Sequence, residues 1–284
     1  MAGISASLVD ILQPERLTAV VDVGANPVDG DPPYKSLLAA RLCSVVGFEP
    51  QSAALAALNS RKTDVETYLP YVVGDGAPAT LRVCSAPGMT SLLCPDPNMA
   101  MYFRGFEGWG RVVEERPVET RRLDDLAEIA HLDFLKADVQ GAELTVIRNG
   151  ARQLANAVAV QAEISFMPLY EGQPLFGEID LELRRLGFVP HCFAGIKNWM
   201  ISPMYDERNP FAAINQLLEA DIVYVRDFTK PDLMQSEQLK HLAIIAHYCY
   251  GSFDLAINCI HRLIARKSIS QDSMARYVSQ LSKI

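Results

Sequence analysis

What most constrains this chain is an alternation of short apolar runs with helix-compatible stretches. The runs at 18–23 (TAVVDV) and 44–49 (SVVGFE) carry an acid at or next to their carboxyl ends, and a helix-compatible stretch lies between them at about 33–41. SAALAALNS follows as a helix with Ser52 as its N-cap. TYLPYVVGDGAPATLRV reads as two strands around an Asp-Gly turn. RVVEERPVETRRLDDL is a strand entering a helix that Asp124 caps. Next come the strand DFLKADV (133–139), a helix in GAELTVIRNGARQL ended by Gly150, and the strand AVAVQAEISF. The helix PLFGEIDLELRRLGF, closed by Gly187, and a late strand in ADIVYVRD complete the series. This order predicts a doubly wound α/β fold with a mainly parallel sheet. Such sheets bind ligands beyond the carboxyl ends of their strands, where the strand order switches.

Two regions break the pattern. Residues 86–111, rich in proline, glycine and aromatics, form the best candidate for a long functional loop, and 195–210 is a second possible wall of a site. From Gln235 onward EQLKHLAIIAHYCY, FDLAINCIHRLIARK and DSMARYVSQLSKI make a helical tail. Its expected role is to cover the sheet or extend the core; a dimer contact or a cap over the substrate is the alternative.

Composition narrows the class. With 284 residues, 49% of them hydrophobic and 21% charged, the chain can bury a full core, which excludes a disordered tract or a charged coiled coil. The 26 basic residues are scattered and outnumbered by 34 acidic ones, so nucleic acid is not an expected partner. No apolar run approaches the roughly 18 residues of a membrane span. MAGISASLVDILQPERL lacks a basic start followed by an apolar stretch, so the expected location is cytoplasmic. The six cysteines show no C-x-x-C pair, and reduced core thiols are expected.

The chemistry should lie at the strand ends. The first strand runs into Asp22-Val23-Gly24-Ala25-Asn26-Pro27-Val28-Asp29-Gly30, which is not G-x-G-x-x-G. Carboxylates at Asp22, Asp29 and Asp31 would repel a pyrophosphate, whereas S-adenosylmethionine (SAM) has no phosphate and carries a sulfonium and an ammonium. Asp22 can accept from that ammonium, Gly24 lets the backbone approach the ligand, and Glu49 can accept from both ribose hydroxyls. Further on, Lys136, Asp138 and Gln140 recur with period 2, as do Gln161, Glu163 and Ser165 on the next strand. Polar groups on buried strands must pair, for example Lys136 with Glu163, or line a site. Asp138, at the strand tip, is the functional candidate.

Together DVGAN, GFEPQ, LDFLKADVQGAELTVIRNGA and AEISFMPLYEGQPLFGEIDLELRRLGF resemble the FkbM-type methyltransferases, a class I SAM-dependent branch, over about residues 18–227. The resemblance implies a seven-stranded Rossmann-like sheet, with a methyltransferase domain over 1–230 and a helical C-terminal extension over 231–284. It implies SAM as cofactor, held by Asp22, Gly24, Asn26 and Glu49, with Ser91 near the methionine part and Asp75 against adenine unless it only forms the Gly-Asp-Gly turn. The family strand K-x-D-x-E-G-x-E is matched by Lys136, Asp138, Gly141 and Glu143, but Gln140 stands where glutamate is usual, and the loop after the first strand is longer. The implied reaction is in-line transfer of the sulfonium methyl to a hydroxyl of a sugar, glycan or related small molecule. Asp138 orients or deprotonates that acceptor; His191 and His131 are weaker candidates for the base. Asp138 and Glu163 could contribute to a divalent-metal site, but no metal is expected, and a homodimer is left open. The competing readings are a non-catalytic nucleotide-binding module of the same fold and a nicotinamide-dependent oxidoreductase.

Overall fold

TAVVDV is buried along its whole length, as a central strand covered on both faces must be. In the computed structural model, which describes residues 7–26, 30–204, 206–209 and 212–281, it is β1 (Thr18–Val23). The strands that follow are β2 (Cys43–Phe48), β3 (Glu66–Leu69), β4 (Val72–Val73), β5 (Pro78–Cys84) and β6 (Val112–Arg121). After them come β7 (Phe134–Ala137), β8 (Ala159–Ser165), β9 (Phe188–Trp199) and β10 (Gln216–Arg226). Seven form one sheet in the order β3-β2-β1-β7-β8-β10-β9. All its pairings are parallel except those of β10, which runs antiparallel to β8 and β9. The chain winds outward from β1 to β3 and returns to β7 on the other side of β1. The strand order therefore switches between β1 and β7, and their carboxyl ends flank the crevice.

Period-two alternation divides the core. Val20, Val45, Phe134 and Val223 face the helices Ser236–Tyr250 and Phe253–Ala265 through Leu242, Ile245, Cys259 and Leu263. Val21, Val23, Leu135 and Val160 face the other side, against Val146 and Ile147 of Glu143–Arg148 and Ile179 and Leu183 of Phe176–Arg185. The tail is thus one wall of the sheet's own core. All six cysteines are free. No helix among the described residues is long and apolar enough to cross a membrane.

Several local expectations are corrected. The strands flanking Gly74-Asp75-Gly76 do not pair with each other; β4 and β5 each pair with β6 in a separate three-stranded sheet. Gln51 is the N-cap of Ser52–Arg61, so Ser52 is its first helical residue. Asp124 lies in a short 3₁₀ turn, and its carboxylate accepts from the backbone N–H groups of Arg152 and Gln153, capping Ala151–Leu154 from a distance. Gly150 separates that helix from Glu143–Arg148 instead of ending a single one. β9 has no counterpart in the sequence reading. It holds Pro190, which an edge strand tolerates because one side of its backbone needs no partner. The 86–111 segment packs as short turns whose Phe106 and Trp109 meet Trp199 edge to face.

The shared core carries a prediction for the tail. Leu242 is fully buried against the sheet, so Leu242→Ala should lower stability by about 2–5 kcal/mol in urea unfolding. An unchanged midpoint would mean that the helix does not belong to this core.

Candidate active site

At the carboxyl end of β1 the chain turns sharply at Gly24, with φ at +82°. A Cβ there would lie 1.8 Å from the carbonyl oxygen of Asp138. Glycine is thus required by the close approach of the turns after β1 and β7. Gly24 also lines a cleft enclosing about 660 Å³, part of it open to solvent. The same cleft is lined by Asn26, Glu49, Ser91 and Asp138 and walled by Phe48, Tyr71, Val73, Leu81 and Val139.

Glu49 is buried at the end of β2, and its Oε1 accepts from the Gln51 backbone N–H at 2.7 Å. Burial pushes its carboxyl above the ordinary value, opposed by backbone N–H groups of Gln51 and Asn26. Ser91 Oγ donates to the Gln140 carbonyl at 2.6 Å and accepts from the Leu93 N–H, tying the 86–93 loop to the tip of β7. Asp75 does not line the cleft; its Oδ1 accepts from the Ala77 N–H, which places it in the turn.

A second chamber opens beside the first. Asp22, Asp31, Tyr34, Lys136, Gln161 and Asp221 line it, and it meets the cleft at Asn26 and Asp138. Asp22 therefore faces the chamber. Its Oδ2 accepts from the Tyr34 hydroxyl at 2.5 Å, and its Oδ1 lies 3.4 Å from Lys136 Nζ. Burial raises the Asp22 carboxyl above its ordinary value, with Lys136 and Tyr34 opposing.

Of the two alternatives for Lys136 and Glu163, pairing with each other or lining a site, the pair does not form. Lys136 is in register with Asp22 on β1, and its ammonium lies 3.4 Å from Asp22, 3.5 Å from Asp138 and 3.3 Å from the Gly24 carbonyl. Glu163 lies two residues beyond the register partner of Lys136 and pairs with Lys197 of β9 at 3.3 Å. Burial opposes charge on Lys136, yet Asp22 and Asp138 hold its pKa above the usual lysine value. Glu163 is raised well above the carboxylate range by burial and by Glu219.

Asp138 Oδ1 accepts from Gln140 Nε2 at 2.9 Å, and that nitrogen also donates to Glu163 Oε2 at 2.7 Å. Asp138, Glu143 and Glu163 bring oxygens within 4.8 Å of one another, but this amide fills the gap between two of them, so the residues present do not suit a resident metal. The histidines lie elsewhere. His191 pairs with Ser252, and His131 lines a cavity with Asp133 at the amino end of β7. Asp29 and Pro27 of the first turn, and Tyr205 and Pro210 of the second wall, lie outside the described residues.

Sequence reasoning missed Tyr34, Tyr170, Lys197, Glu219 and Asp221. Asp221 had a signal, because an acid inside the apolar run of a buried strand needs a partner or a ligand; Tyr34 and Tyr170 are brought in by loops, Lys197 by an edge strand, and Glu219 by the start of β10, ahead of its apolar run.

A family model described as the methyltransferase FkbM domain matches residues 22–190. The 2-O-methyltransferase NoeI of Sinorhizobium fredii (strain NBRC 101917 / NGR234) is 43% identical over 77 residues, which cover 26% of this chain and 32% of that protein. The match thus spans about a third of that relative's length. Among solved structures, the magnesium protoporphyrin IX methyltransferase of Synechocystis PCC 6803 is 12% identical with a TM-score of 0.39, covering 74% of this chain and 71% of its own. The precorrin-6y C5,15-methyltransferase of Geobacter metallireducens GS-15 is 11% identical with a TM-score of 0.36, covering 78% and 88%.

Glu143 supplies a pH test. Burial lifts its carboxyl from 4.5 to about 7, although the Val139 and Gly141 N–H groups donate to it. The folded state therefore binds this proton more tightly than the unfolded state. Stability should fall as pH rises from about 4.5 to about 7, by up to roughly 3 kcal/mol from this group. Glu143→Gln should remove that part of the slope in urea midpoints measured from pH 5 to 8. An unchanged slope would contradict the assignment.

Proposed function

The chain belongs to the FkbM methyltransferase family, and from that premise we propose that it is a SAM-dependent O-methyltransferase acting on a hydroxyl of a sugar, glycan or related small molecule. The observation that carries the proposal is the meeting of two cavities at Asp138, so a donor in the cleft and an acceptor in the chamber would adjoin the same carboxylate.

The donor set of the cleft suits SAM. It holds two carboxylates, Glu49 and Asp138, apolar walls for a purine, and no lysine, arginine or histidine. A dinucleotide pyrophosphate would meet these two carboxylates, which disfavours the nicotinamide-dependent oxidoreductase. A non-catalytic module would have no need of a second polar chamber opening onto the first. When bound, SAM supplies an electrophilic methyl group on its sulfonium.

The chain's own residues do the rest. Glu49 would accept from the ribose hydroxyls, and the Gly24 turn would line the methionine part. Asp138 would take the proton of the acceptor hydroxyl. Lys136, 3.5 Å away, holds that carboxylate in place at the strand tip. Gln161 and Asp221 would orient the acceptor's other polar groups. The NoeI name, a 2-O-methyltransferase, is consistent with a hydroxyl acceptor. A cytoplasmic location is part of the same reading.

Calorimetry against SAM, its demethylated product and NAD tests the donor, and labelled SAM with glycan and small-molecule fractions tests transfer. SAM should bind and NAD should not; binding of NAD alone would sink the proposal. Asp138→Asn should cut transfer by about 10²–10⁴-fold while SAM affinity stays within about threefold. Full transfer by that variant would remove Asp138 from its role.

A further inference from the structure

Both amide hydrogens of the Gln140 side chain are committed. Nε2 donates to Asp138 Oδ1 and Glu163 Oε2, and Oε1 lies 3.2 Å from the Tyr170 hydroxyl, whose one hydrogen it shares with the Met89 carbonyl. Its backbone is committed as well. The residue sits at φ +55°, uncommon for a residue other than glycine, and its carbonyl accepts from Ser91 Oγ. The NH₂ end of the amide faces both carboxyl groups.

Two carboxylates directed at one point repel each other, and in a site of low dielectric the repulsion is relieved by a shared proton or a cation. Here a neutral donor with two hydrogens stands between them. The charged and titratable groups around it come from every neighbouring element. Lys136 and Asp22 lie toward β1, Glu143 on the following helix, Tyr170 in the loop after β8, and Lys197 and Glu219 on β9 and β10. An amide keeps its protons throughout the pH range of the protein. It can therefore orient Asp138 without competing for the proton that Asp138 is to receive.

We propose that Gln140 is a positioning residue whose amide occupies the place of a shared proton or divalent cation between Asp138 and Glu163, holding Asp138 oriented toward the acceptor chamber. The role rests on the reading of Asp138 as the group that takes the hydroxyl proton.

The test compares the full chain with Gln140→Glu and Gln140→Met. In thermal unfolding from mildly acidic to mildly alkaline pH, the third carboxyl of Q140E must take up a proton. Its Tm should therefore fall below wild type by several degrees as pH rises, and MnCl2 should restore it. The wild type should not respond to MnCl2. In transfer assays Q140E should move the acid limb of the kcat profile up by about one pH unit, with the KM for SAM changed by less than about threefold. Should Q140E fail to fold, Q140M removes the donor without adding charge, and its Tm should fall in the same direction by less. A Q140E protein that tracks wild type at every pH, or a wild type stabilised equally by MnCl2, overturns the proposal. Wild-type protein that transfers no methyl group overturns the reading on which the role rests, while the unfolding series still decides what occupies the place between the carboxylates.

Discussion

One buried ammonium makes the crevice between β1 and β7 possible. Asp22 and Asp138 end adjacent parallel strands, and each would be costly to bury alone. Lys136 lies within 3.5 Å of both carboxylates and donates to the Gly24 carbonyl. The pair of acids at the switch point can exist because the cation neutralises part of their charge, and Tyr34 completes the solution on Asp22. The second acidic group, Glu163 with Glu219, is held separately by Lys197 from the edge strand. Gln140 joins the two groups with an amide that carries no charge.

The architecture and the most prominent polar positions were legible in the sequence because both follow from periodicity. Alternating runs predicted a doubly wound sheet, and period-two polar residues predicted that Lys136, Asp138 and Gln140 share a face. Glu49, Gly24, Asn26, Ser91 and Asp138 do line one cleft. Asp22 borders the adjoining chamber, and Asp75 remains in its turn. The partner of Lys136 was not legible. A strand pattern tells which side chains point the same way, but not which neighbouring strand lies on either side. Strand order decides that β1 is the neighbour carrying the facing acid, and strand order depends on crossovers that no local window contains. β9 escaped notice for a related reason: an edge strand with proline and mixed polarity carries little pattern.

Ser91 makes the two halves of the site mechanically continuous. Its hydroxyl joins the loop over the cleft to the backbone of Gln140, whose side chain grips Asp138. A ligand that displaces that loop cannot do so without acting on the carboxylate at the adjoining chamber. Gly24, pressed against the Asp138 carbonyl, leaves the strand tip little room to yield.

The tail helices have a consequence for how the protein is made. β1 and β2 are translated well before the helices that cover them, since the apolar face they present packs against Leu242, Ile245, Cys259 and Leu263. A ribosome delivers those covering residues only after more than two hundred others, and contacts so distant along the chain form slowly. The nascent sheet therefore spends most of its synthesis with one hydrophobic face uncovered. For this fold, the order in which the chain leaves the ribosome fixes how long that face stays uncovered.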